Sequence, residues 1–189
     1  MITSMPINHY MSWEGGVDLV AATAPRLSMP NVIVHVARLV HTPAGPPSPA
    51  GMILFQPDPA KPPAVMGFIG ADASVGAYFG PKIFAGTPFE KAPVLQASIE
   101  VRTSLPGSVS SRVVVGGFTF EVTLSNLGPL ELVQRAPAPM TPFTQQGLEA
   151  EAKNAALSVH GQPVNLIVPP IGISGGPAAV WAPAGVYAR

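Results

Sequence analysis

The side chains able to do chemistry are few and scattered. Lys82 lies in Tyr78-Phe-Gly-Pro-Lys-Ile-Phe84, an amine among aromatics beside a stiff Gly-Pro pair. Desolvated there, its pKa would fall and the free amine would be a nucleophile for carbonyl chemistry. With its stem laid on the rings and its ammonium in water, it would be an ordinary surface lysine. His35 sits inside the apolar run Val32–Val40. A neutral imidazole held there would serve as an acid or base, and the plainer reading is a core histidine with its hydrogen bonds satisfied. Lys82, His35 and Tyr78 are therefore the catalytic candidates. Arg38, in the same run as His35, would receive a ligand carboxylate or pair with Asp72 or a glutamate. Arg38, His41, Phe79 and Phe84 are the candidate ligand contacts.

Other constellations fail on spacing. Gly172-Ile-Ser-Gly-Gly176 fits the G-x-S-x-G turn of serine hydrolases, which requires an acid and a histidine downstream. No Asp, Glu or His follows Ser174, and Pro177 and Pro183 forbid the helix such a turn launches, so it reads as a Gly-rich turn. His35 and His41 share a strand face but stand roughly 20 Å apart along it, too far for one metal. Gly67, Gly70, Gly76 and Gly80 fit neither a dinucleotide nor a P-loop spacing. Glu100 and Glu121 read as surface charges, and Glu149 and Glu151, two apart on an expected helix, point to different faces. No metal and no cofactor are expected.

Composition narrows the class. Only 11% of the 189 residues are charged, against about 25% in an ordinary soluble domain, and Asn154 to Ala188 contain no Asp, Glu, Lys or Arg. Each formal charge must then keep an unusually large area in solution, so either surface is hidden against other copies of the chain or much of it is Pro, Gly, Ser and Thr backbone facing water. Ten Lys plus Arg, scattered singly at zero net charge, form no stripe for a phosphate backbone, so nucleic acid is not an expected partner. Without cysteine, disulfides and thiolate chemistry are excluded. The N-terminal residues lack a basic and then apolar leader pattern, and prolines interrupt the uncharged run, so neither a signal peptide nor a membrane helix is expected. A cytoplasmic protein is the default.

The elements that must position these residues are short apolar runs between 24 prolines and 19 glycines. The pattern predicts one mainly β domain over 1–189, an antiparallel β-barrel or β-sandwich with one α-helix near the C-terminus. Residues 1–30 read as irregular, with a strand at Val17–Ala22. Val32–Val40, apolar on both faces, belongs in a sheet interior or between two layers. His41–Gly51 reads as a proline-stiffened connector, and 70–93 as a long Gly/Pro/aromatic loop with room for one short helix. Leu95–Val101 alternates cleanly and pairs with a strand running to Leu124 across Pro106-Gly107, with residue numbers summing to 213 and a bulge at Gly116-Gly117. Thr141-Pro142 opens a helix over about 142–159, with Leu148, Ala152, Ala155 and Val159 on one stripe.

Two functional classes follow. One is a non-catalytic, self-associating β-barrel or sandwich protein, a homo-oligomer that buries its uncharged C-terminal segment or its 70–93 loop. The other is a small-molecule enzyme or carrier whose barrel holds an apolar, carboxylate or carbonyl ligand, with Lys82, His35, Arg38 and Tyr78 at the mouth.

Overall fold

In the computed structural model, residues 7–189 are described. Among them the strands are β1 (Tyr10–Ala21), β2 (Val32–Thr42), β3 (Gly45–Phe55), β4 (Val65–Gly70), β5 (Val94–Ser104), β6 (Ser108–Val115), β7 (Phe118–Leu127), β8 (Glu131–Arg135), β9 (Thr144–Val159), β10 (Gln162–Val164) and β11 (Ala179–Ala188). One short helix, α1 (Ala73–Tyr78), runs into a π-helical turn at Phe79–Ile83. The sheet order is β9-β11-β1-β2-β3-β4-β5-β6-β7, and β7 pairs back to β9, so the sheet closes into a barrel. All ring pairs are antiparallel except β4–β5. β8 and β10 attach only to β9. No helix among the described residues is long and apolar enough to cross a membrane.

The barrel interior is filled. Val17, Leu19, Val34, Val36, Ile53, Ile99, Val113, Phe120, Val122, Leu157 and Trp181 meet there from every quarter of the ring. A second core lies on the outer face of β1, β2, β3 and β11, where Met11, Trp13, Ile33, Met52 and Val180 pack under Phe79, Ile83, Phe84 and Phe143. β2 thus has apolar residues on both faces because both faces are covered.

Several elements differ from the sequence expectation. The C-terminal helix expected over 142–159 is instead the 16-residue strand β9, and the helix of this fold sits at 73–83. Ala, Glu, Leu and Lys give residues 144–159 strong helix propensity, and tertiary pairing overrides it. β9 is hydrogen-bonded along both edges, to β11 and β10 on one side and to β8 and β7 on the other. Within 1–30, read as irregular, β1 extends over Tyr10–Ala21; residues 1–6 of that stretch lie outside the described residues. β3 begins at Gly45, inside the expected connector. The 70–93 loop contains α1, capped by Asp72, whose Oδ1 accepts from Ser74 N at 2.8 Å and Ser74 Oγ at 2.6 Å.

The β5–β6 register is one residue from the expected one. Ile99 faces Val113 and Ser104 faces Ser108, because a three-residue loop, Leu105–Gly107, joins the strands. Gly116-Gly117 is a two-residue hairpin turn between Val115 and Phe118, not a bulge. Both glycines have positive φ, 56° and 82°, the backbone that matches the twist of a tight hairpin.

Candidate functional site

Three strands share one bend. Pairing runs from Glu14 opposite Ala184 and Leu39 to Gly16 opposite Ala182 and Ala37, with the residues between, Gly15, Pro183 and Arg38, left out of the ladder. Gly15 takes φ +66° there, and Pro183 has no N–H to donate. Side-chain alternation flips at this level. Met11 and Trp13 precede Asp18 and Val20 on the outer face, and Val180 and Ala182 precede Tyr187. The flip places Asp18 of β1, His35 of β2 and Tyr187 of β11 around one small cavity, with Gln145 and Glu149 of β9 on its far side.

The polar contacts form a chain. His35 Nδ1 is 2.7 Å from Asp18 Oδ1, and Tyr187 Oη is 3.4 Å from His35 Nε2. A carboxylate only accepts, so Asp18 keeps the proton on Nδ1 and leaves Nε2 to titrate. Beside this chain, Arg135 Nη1 and Nη2 donate to Glu149 Oε1 and Oε2 at 2.6 and 2.7 Å, and Gln145 Nε2 donates to Glu149 Oε1 at 2.8 Å. The Arg135 guanidinium lies against Gly176, where a Cβ would collide with it. That contact holds the Gly172–Pro177 turn, with Ser174, over the cavity.

Electrostatics follow from these neighbours. Burial opposes charge on His35, but Asp18, by charge and hydrogen bond, and Glu149 outweigh it and hold the imidazole pKa above 6.5. Burial pushes the Tyr187 phenol well above 10, with Asp18 and Glu149 adding to the rise and Arg135 opposing it. Tyr187 is therefore a neutral O–H donor at any physiological pH. Its ring is clamped between Phe143, with centroids 3.9 Å apart, and Trp13, at 4.6 Å. Trp13 is fixed in turn by its Nε1–H donating to Ala182 O at 3.1 Å.

The cavity holds about 40 Å³ of free space, enough for one or a few waters or a small functional group. The His35 and Asp18 side chains keep 27% and 23% of their exposure, so water reaches part of each. Ile33, Met52, Phe84, Phe143 and Val180 supply the apolar wall.

The sequence candidates are divided by the fold. His35 and Phe84 line the cavity, and Phe79 packs behind them, its centroid 6.4 Å from the imidazole. Lys82 is exposed at the end of the π-turn, outside the cavity lining. Arg38 and His41 meet each other on Glu14, at 2.9 and 3.1 Å, on the solvent side of the bend. The Tyr78 hydroxyl accepts from Tyr10 N at 3.1 Å. The interior of the ring is occupied by its own side chains, and the cavity lies on the outer face, not at a barrel mouth. Among the described residues no three His, Asp or Glu stand together as metal ligands.

Asp18, Glu149, Arg135, Gln145 and Tyr187 were not singled out from sequence as site residues. One signal was available: Asp18 interrupts Val17–Ala22 as His35 interrupts Val32–Val40, and two polar interruptions in neighbouring apolar strands suit a shared partner. No family model matches the chain, and no similar curated protein or solved structure was found.

Proposed function

We propose that the protein binds a small carbonyl compound and moves a proton on it, with His35 as the acid–base group. The Asp18–His35–Tyr187 chain on the wall of a solvent-reached apolar cavity carries this reading. Neutral His35 Nε2 takes a proton from the carbon beside the carbonyl. The carbonyl oxygen, seated in place of the long Tyr187–His35 contact, accepts the phenolic hydrogen bond as negative charge grows on it. Asp18 steadies the imidazolium that forms and fixes its orientation. Reprotonation from Nε2 returns the proton to the same or a neighbouring atom, so the sequence balances without a cofactor.

The test is α-hydrogen exchange of 2-butanone in D2O, followed by NMR. Protein-dependent exchange should rise with pH through the His35 pKa, fall at least 100-fold in His35→Gln, and fall less in Tyr187→Phe. Exchange that is indifferent to His35→Gln would end the proposal.

A second reading, self-association, is favoured by one feature. The outer edge of β8 is unpaired among the described residues, and Leu132 on it is 83% exposed. β8 is short and carries Leu132 and Val133 between Glu131 and Gln134-Arg135, and its free backbone edge, with Leu132 beside it, is a template for pairing with another copy. Part of the uncharged C-terminal segment is spent inside this chain, since Ala178–Ala182 are buried, which makes β8 the better candidate surface. Sedimentation of Leu132→Lys tests it: an assembly built on this edge dissociates, and an unchanged mass removes the edge as its interface.

A further inference from the structure

We infer that the ligand is an amphiphile, with its carbonyl head at His35 and an unbranched apolar chain in the groove beside the cavity; this rests on the carbonyl reading above. The groove runs between the turn after β1 and the segment before β11, with about 360 Å³ of free space against about 40 Å³ at His35. Val20, Gly172 and Ile173 line both spaces. The two spaces therefore adjoin along these three residues, and a molecule too long for the cavity has the groove beside it.

The groove suits a hydrocarbon. Met29, Ile167 and Ile171 are 52%, 47% and 59% exposed and lie on its two facing walls. Arg26 is the one formal charge in its lining. The walls are fixed to one another: Ala22 N donates to Ile167 O at 2.9 Å, and Ile167 N to Ala22 O at 2.8 Å. A preformed apolar trough lowers the ordering cost of binding a flexible chain. A protein partner would need about 800 Å² on each side, well beyond three exposed side chains in one short trough, whereas a single alkyl chain covers them.

The experiment is a chain-length series of methyl ketones, 2-butanone to 2-octanone, titrated into the full-length protein. His35 ring NMR shifts report the head, and the concentration dependence gives affinity. Each added methylene should tighten binding about fourfold while it is buried in the groove. Ile171→Asp and Met29→Asp, both at exposed positions, should each collapse the 2-octanone to 2-butanone affinity ratio by at least tenfold. A flat series in which 2-butanone still shifts His35 would overturn the groove inference and leave the head-group reading standing. A length dependence that both variants leave intact would place the chain elsewhere and overturn it too. If no ketone shifts His35, the head-group reading fails, and the groove inference with it.

Discussion

Along β1, Val17 and Leu19 point into the barrel, while Asp18 and Val20 point outward beneath the aromatic layer. Along β2 the division repeats, with Val34 and Val36 inside and Ile33 and His35 outside. One sheet therefore has two buried faces with opposite duties. The inner face is closed on itself and almost wholly apolar, aliphatic side chains joined by Phe55, Phe120 and Trp181. The outer face gathers carboxylates, an imidazole, a guanidinium and a phenol under a partial cover of Phe84, Phe143 and the Gly172–Pro177 turn. Period-two alternation lets neighbouring residues serve both without sharing partners. Stability should follow substitutions on the inner face, and proton chemistry those on the outer.

The largest effect tests the inner face. Phe120, 1% exposed, packs its ring 5.4 Å from that of Phe55. Phe120→Ala should cost about 3–5 kcal/mol in urea denaturation and leave the His35 NMR titration where it was. A loss below about 1 kcal/mol, or a displaced His35 pKa, would show that the two faces are not independent. Next comes Glu149, which belongs to the outer face but supports its frame. Glu149→Ala leaves the Arg135 cation, 19% exposed, without its bidentate partner, and should cost about 3 kcal/mol. Adding Arg135→Met should restore most of that loss. A double variant as unstable as the single one would mean that the pair does more than neutralise itself.

How much of this was legible in the sequence follows from the same contrast. Alternation exposes a strand with one wet face, so Leu95–Val101 and its inward residues are legible. β2 was recognised as covered on both faces because its apolar run has no polar side. β9 escaped because Glu149-Ala-Glu-Ala-Lys153 satisfies a strand and a helix alike, and the choice was made by β7, β8, β10 and β11, each distant in sequence or joined by a loop. The site was half visible: His35 stood out as a polar group in an apolar strand, whereas its partners arrive from β1, β9 and β11. Lys82 drew attention through its aromatic neighbours, but those rings turn inward on the π-helical turn and leave the amine in water. No local pattern encodes the flip at Gly15, Arg38 and Pro183 that brings Tyr187 to His35.

A smaller effect belongs to pH. The folded pKa of His35 lies above its unfolded value of 6.5, so its contribution to stability is complete below pH 6.5 and is lost as pH rises through the folded pKa. Tyr187 acts in the same direction at a higher pH: the unfolded phenol ionises near 10 while the folded one holds its proton, so stability falls again above pH 10. The charged groups that act on His35 are Asp18 and Glu149, the latter paired with Arg135. Asp18→Asn removes the largest favourable influence and leaves burial dominant, so the imidazole pKa measured by NMR should drop below 6.5 and the first decline should vanish. An unmoved pKa would remove Asp18 as its cause.

The smallest effect asks whether the inner face is as dry as the comparison requires. Ser111 is 3% exposed, lies opposite Val101 of β5 and Val122 of β7, and its hydroxyl has no hydrogen-bond partner. An unsatisfied buried hydroxyl carries a desolvation cost of about 1–3 kcal/mol, and the methyl of alanine occupies nearly the same space. Ser111→Ala should therefore raise the unfolding free energy, by about 1 kcal/mol after the small packing loss. On the outer face the reverse holds, because every polar group in the Asp18–His35–Tyr187 and Arg135–Glu149–Gln145 sets has a partner to lose. If Ser111→Ala instead destabilises the protein by 1 kcal/mol or more, the hydroxyl is satisfied within the barrel. The interior then has polar business of its own, and the division of labour between the two faces fails at its inner side.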